Sequence, residues 1–226
     1  MKEGVRGGTM GSPTRERWAT FDCYGTLIDW NGGIRRGLAV VFGEERADEQ
    51  LARYHELEPR IEREEPALPY REVMARVLDE LVAPAEQRGV LGESLPSWSP
   101  FPEVRAALEE ARARGWRLAI LSNTDRYFIE ASKAQLGVPF DVTIVASEIG
   151  SYKPALGHWQ AFEREVGRFP DVHVAASHFH DVVPANGLGL PTIWVNRLGE
   201  DGDPPPAREI PDLAPLPDVL DQLVPA

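Results

Sequence analysis

Five short apolar runs constrain this chain more than any other feature: Trp18–Asp22, Arg117–Leu121, Val142–Ala146, Val172–Ala176 and Thr192–Val195. Runs of this length, bounded by turns, have the pattern of strands buried in a parallel sheet. Helical stretches separate the later ones. Val104, Leu108 and Ala111 mark a helix that Gly115 closes, and further helices are predicted near Arg126–Leu136 and Ala155–Val166. This alternation predicts an α/β fold, a parallel sheet with helices on both faces. Such sheets bind ligands at the carboxyl ends of their strands, so the residues just after each run become the candidates for a site.

The stretch between the first two runs does not alternate. From Ile34 to about Leu91 the signal is helical: Leu51, Tyr54, Leu57 and Ile61 recur at three- and four-residue spacing, as do Val73, Val77, Leu78 and Leu81. Pro66, Pro69 and Pro84 mark breaks between helices, and the proline-rich Leu95–Pro102 (LPSWSPFP) reads as a return linker. The expected organisation is a catalytic core from residues 15–31 and 99–226, a helical cap over 32–98 and a flexible leader over 1–14, with Met10 as a candidate start.

Composition enters as a set of exclusions. The net charge of −12 disfavours nucleic acid and anionic membrane as partners, and no run reaches the roughly 18 apolar residues of a membrane span. A small anionic substrate responds to local charges and remains open. The single cysteine, Cys23, rules out an internal disulfide and fits a reducing compartment, so a cytoplasmic location is expected. Only Lys2, Lys133 and Lys153 are lysines, against 21 arginines, which draws notice to any lysine in a special setting.

Asp22 ends the first run and precedes a glycine turn, in Phe21–Asp29 (FDCYGTLID). A carboxylate at a strand end can act as a covalent nucleophile, although a lone aspartate there more often caps the turn. It has company. Ser122-Asn123 follows the second run, Lys153 follows the third in SYKP, and Asp181 follows the fourth. Asp, Ser-Asn, Lys-Pro and Asp in that order resemble the four motifs of the haloacid dehalogenase superfamily, over nearly all of Trp18 to Arg197. The resemblance implies a Rossmann-like core with an inserted α-helical cap, and a hydrolase with Asp22 as nucleophile.

Within that superfamily the sequence is most similar to the 2-haloacid dehalogenases. Tyr24 stands where the phosphatases carry a general acid, and a halide leaves without needing a proton. Ala176 stands five residues before Asp181, where the phosphatases carry a magnesium ligand. Losing an acidic ligand should cripple such a site, and a phosphate dianion would then meet Asp22 unscreened. No metal and no cofactor are therefore expected. The string QLARYHELE resembles the cap segment whose arginine holds the departing halide, which assigns that role to Arg53; alone, Arg53 would read as a solvated helix residue.

Lys153 is expected to keep Asp22 ionised, lowering its pKa by roughly 1–3 units. Thr26 is expected to donate to Asp22, while Tyr24, Ser122 and Asn123 face the substrate. His178 departs from the asparagine common in the family and is assigned to water activation with Asp181; a histidine beside a pocket is as often a wall residue. Trp159 stands where the family often has tyrosine. The resemblance implies attack by Asp22 on the halogen-bearing carbon, an aspartyl ester, its hydrolysis by water, and a homodimer. Three rivals are hydrolysis of a strained ring acid resembling azetidine-2-carboxylate, a phosphatase with an unusual magnesium site, and an inactive binding relative.

Overall fold

The computed structural model describes residues 15–226; the leader read over 1–14 lies outside them. In chain order the first strand, β1 (Arg17–Phe21), is followed by four helices, α1 (Trp30–Phe42), α2 (Ala47–Glu64), α3 (Tyr70–Glu80) and α4 (Val90–Ser94). Then come α5 (Val104–Ala113), β2 (Trp116–Ser122), α6 (Arg126–Leu136), β3 (Val142–Val145), α7 (Ala146–Ile149) and α8 (Gly157–Val166). The chain ends with β4 (Val172–Ala175), α9 (Val183–Gly187), β5 (Thr192–Val195), β6 (Arg208–Ile210) and α10 (Leu216–Leu223). The six strands pair in parallel in the order β3-β2-β1-β4-β5-β6. Among the described residues no helix is long and apolar enough to cross a membrane.

β1 is central because all five of its residues are buried, so it must have partners on both edges and helices on both faces. Phe21 lies level with Ile120 of β2 and Val174 of β4, which places Asp22, Ser122 and the residues after Ala175 at one end of the sheet. The predicted α6 and β5 coincide with those observed, and the other predicted strands differ by a residue at their ends. The third run reaches Lys153 only through α7, because Ala146 turns into a helix that Gly150 closes at φ 63°. β6 and α10 are additional; nothing in the sequence reading anticipated them.

The insert departs from the expectation at its start: the helical signal begins at Ile34, yet α1 begins at Trp30, with Gly32 and Gly33 in its first turn. Asp29 caps this helix, its carboxylate accepting from the Gly32 amide at 3.0 Å, and a Cβ on Gly33 would meet the Trp98 ring. Two strand-like contacts pin the entry and return segments together, Asp29 N to Ser99 O at 3.0 Å and Phe101 N to Leu27 O at 3.1 Å. Asp125, just after β2, accepts from the first amides of α3, Tyr70 N at 2.8 Å and Arg71 N at 3.0 Å. Helix α2 buries Gln50, Tyr54, Glu58, Ile61 and Glu62, one stripe at helical spacing.

Candidate active site

The nucleophile loop is built from its own sequence. Gly25 sits at φ +90°, a conformation costly for any residue with a Cβ, and this turn brings Thr26 back over Asp22. Thr26 donates to Asp22 Oδ2 at 2.8 Å and accepts from the Ala176 amide at 2.8 Å, so it joins the ends of β1 and β4.

Lys153 organises the rest. Its side chain is 1% exposed, and its three protons have three acceptors: Asp22 Oδ1 at 2.9 Å, Asp181 Oδ1 at 2.6 Å and Leu121 O at 2.9 Å. Asn123 positions this lysine, accepting from its backbone amide at 2.7 Å and donating to its carbonyl at 3.0 Å. Asp181 also accepts from His173 Nε2 at 2.9 Å, and His173 Nδ1 meets Thr20 Oγ1 at 2.8 Å.

Charge is distributed unevenly within this cluster. The Asp181 carboxyl is held well below the usual range: burial opposes this, but Lys153 and His173 outweigh it. The Asp22 carboxyl is raised, because burial outweighs the stabilising charge of Lys153, and Asp181 adds repulsion. Lys153 thus lowers Asp22 as expected, but the net shift is upward. The ammonium itself is raised despite burial by its two carboxylate partners.

A cavity of about 410 Å³ opens over Asp22. The structure brings Asp22, Tyr24, Ser122, Asn123, Lys153 and Asp181 to its lining, and Thr26 stands directly behind Asp22. Ser122 Oγ is buried with no hydrogen-bond partner among the described residues. Tyr24 hydrogen-bonds Ser132 at 2.9 Å, and burial keeps its phenol neutral.

Two predicted residues are not brought to the cavity. Arg53 is exposed, with a single long hydrogen bond to Gln50 at 3.5 Å among the described residues, because it falls to one side of the stripe that α2 buries. His178 turns outward, its Nε2 bonded to Pro204 O at 2.9 Å and its ring against Trp194. The turn over His178–Val182 is π-helical, and this extra width points His180 into the cavity instead. His180 is pushed down to about 4 by burial, so its imidazole is neutral at neutral pH.

Other residues at the site escaped the sequence reading. Arg197 lines the cavity; it donates to Thr26 O at 2.9 Å and Glu103 at 2.7 Å, and stacks 3.7 Å from the Phe101 ring centre. From the cap come Trp30, Asn31, His55, Glu58, Glu62 and Tyr70. Glu58 Oε1 accepts from Tyr70 at 2.6 Å and Tyr54 at 3.3 Å, and Glu62 Oε2 accepts from Asn123 at 3.3 Å. Burial pushes Glu58 up to about 7 and Glu62 well above its usual value. Their spacing from Tyr54 was the available signal, since four and eight residues return to one helix face.

The donor set fits a bound metal poorly: Ala176 offers no side-chain ligand, and the Lys153 ammonium takes an oxygen of both Asp22 and Asp181, where a cation would otherwise sit.

Residues 17–176 match the model of the haloacid dehalogenase-like hydrolases. The chain belongs to this family. This hydrolase is 31% identical over 193 residues to the (S)-2-haloacid dehalogenase of Pseudomonas sp. strain YL, spanning 79% of this chain and 82% of that enzyme. It is 28% identical over 219 residues to (S)-2-haloacid dehalogenase H-109 of Pseudomonas putida, spanning 88% and 96%. Its fold also matches the L-2-haloacid dehalogenase of Xanthobacter autotrophicus, with a TM-score of 0.78 at 19% identity over 91% of this chain and 98% of that one.

Proposed function

We propose that this hydrolase removes halide from a small (S)-2-halo carboxylic acid by covalent catalysis at Asp22. An Asp22 oxygen attacks the 2-carbon, and the halide leaves with the bonding pair. Water then adds to the Asp22 acyl carbon, and the 2-hydroxy acid departs with inverted configuration. Lys153 and Thr26 hold one carboxylate oxygen each, which orients the nucleophile while leaving lone pairs for attack. Ser122 Oγ receives the substrate carboxylate, and Arg197 brings to the cavity lining the guanidinium that Arg53 was expected to bring. His180, neutral and beside Asp181, orients the hydrolytic water.

The observation that carries this reading is the buried Lys153 ammonium between Asp22 and Asp181. It balances the nucleophile's charge with a protein group, so attack at carbon needs no added cation. The names of the relatives favour the same chemistry. The test measures chloride release from each enantiomer of 2-chloropropionate, and phosphate release from a monoester panel, with and without excess chelator. Chloride release from the (S) acid, unchanged by chelator, is expected. Phosphate release that disappears with chelator and returns with magnesium, without chloride release, would overturn the reading.

A further inference from the structure

The cap wall of the cavity carries two carboxyl groups that dehalogenation does not use. Glu58 and Glu62 stand one turn apart on the buried stripe of α2, about 5–6 Å between Cβ atoms. Their partners among the described residues are neutral: two tyrosine hydroxyls for Glu58 and one amide for Glu62. In each carboxyl one oxygen takes these bonds, and the other, Glu58 Oε2 or Glu62 Oε1, has no described partner. Both residues line the cavity, as do the rings of Trp30 and Tyr70. Among the described residues no cation hydrogen-bonds either carboxyl, so burial favours their neutral form, and a cationic ligand in the cavity would ionise the pair. On the sheet-side wall Ser122 Oγ is buried with no hydrogen-bond partner among the described residues, and Arg197 lines the same cavity from beyond the end of β5. One wall thus offers donors and the other acceptors.

We propose that the substrate is a small acid that also carries an ammonium group, its carboxylate toward Ser122 and its nitrogen held between Glu58 and Glu62. A primary ammonium has three protons and no acceptor, which matches two free carboxylate oxygens with one proton to spare. Aromatic faces beside the pair add attraction for a cation. This assignment rests on the reading that the cavity over Asp22 takes a small acid, and it narrows which acid.

The test needs no turnover. Calorimetry on the wild-type protein compares 3-aminopropionate with butyrate, two acids of one shape that differ by an ammonium in place of a methyl group. Hydrogen bonds to charged groups are worth roughly 1.5–3 kcal/mol, so the amine should bind about tenfold or more tightly. In Glu58→Gln/Glu62→Gln that ratio should fall to about one, with folding checked by circular dichroism. Equal binding of the two acids by the wild type, or a ratio that survives in the double variant, overturns the proposal. Tighter amine binding by a protein that releases no halide from any 2-chloro acid supports this assignment and sinks the dehalogenation reading instead.

Discussion

The two walls of the cavity bury the same chemical group with opposite results. On the sheet side Asp181 is 1% exposed, and its carboxyl is held below the usual range. On the cap side Glu62 is 5% exposed, and its carboxyl is driven well above it. Burial penalises both. The difference is the company: Asp181 has the Lys153 ammonium and His173 bonded to it, whereas Glu62 has one amide and the repulsion of Glu58. Asp22 is also raised, by burial and because it shares a single ammonium with Asp181. The sheet wall is thus a finished electrostatic structure, and the cap wall is one that a ligand must complete.

The largest effect should come from the finished wall. Asp22→Asn keeps the shape of the nucleophile and removes its chemistry, so turnover should drop by roughly 10⁴-fold or more. Single-turnover reaction in oxygen-18 water should label Asp22 in the wild type before product. Residual activity within tenfold of wild type, or label passing directly to product, would break the claim that this wall carries the covalent step. Next in size is Lys153→Met. It strands two buried carboxylates without their cation, which should cost about 3–5 kcal/mol of stability by denaturant unfolding. Adding Asp181→Leu should recover part of that loss. A single variant as stable as the wild type would mean that the ammonium does not hold the wall together.

The sheet wall was also the legible one. A buried parallel strand is a short apolar run, and whatever polar residue ends it emerges at the sheet edge, so Asp22, Ser122 and Asp181 could be read by position. Lys153 was readable by order alone, since α7 intervenes. The cap was legible as helices but not as a face. Helical periodicity finds the apolar stripe through Tyr54 and Ile61, but it assigns charged residues to solvent by default. That default hid Glu58 and Glu62 within the stripe, and the family pattern drew attention to Arg53 beside it. His180 stands where His178 was expected for a local reason, since a π-helical turn changes which of two near neighbours faces inward. His173 was hidden because a histidine inside an apolar strand looks like core.

The contrast between the walls also has a pH signature. Asp181, lowered when folded, stabilises the fold above its usual value of 3.8, and that contribution is lost as pH falls toward its depressed folded pKa. Glu58, raised from 4.5 to about 7, works the other way. The folded protein binds its proton more tightly than the unfolded chain does. Stability from this group is therefore present below pH 4.5 and is lost as pH rises to about 7. Thermal unfolding between these pH values should show wild-type stability declining, at no more than about 1.4 kcal/mol per pH unit from this group. Glu58→Gln, an amide that does not titrate, should flatten the decline. A wild-type curve already flat over that range would show that Glu58 has a cation near it in solution, and the contrast between the walls would fail.

The smallest effect separates the cap's buried stripe from its neighbouring surface. Arg53 would be the natural target for anyone following the family pattern, because an arginine there is expected to hold the departing halide. Its position on α2 argues otherwise: Gln50, Tyr54 and Glu58 take the buried face, and Arg53 is left exposed with one long bond to Gln50. A guanidinium in water is screened and contributes little to a site it does not reach. Arg53→Ala should therefore change chloride release and unfolding free energy by no more than about a factor of two in the corresponding constants. The guanidinium that does line the cavity belongs to Arg197, anchored by Thr26 O and Glu103. A loss of 100-fold in kcat for Arg53→Ala, the size expected for an oriented donor at a developing charge, would show that α2 rotates during catalysis. In that case Glu58 and Glu62 would leave the cavity as Arg53 entered it, and the acidic cap wall would belong only to the resting enzyme.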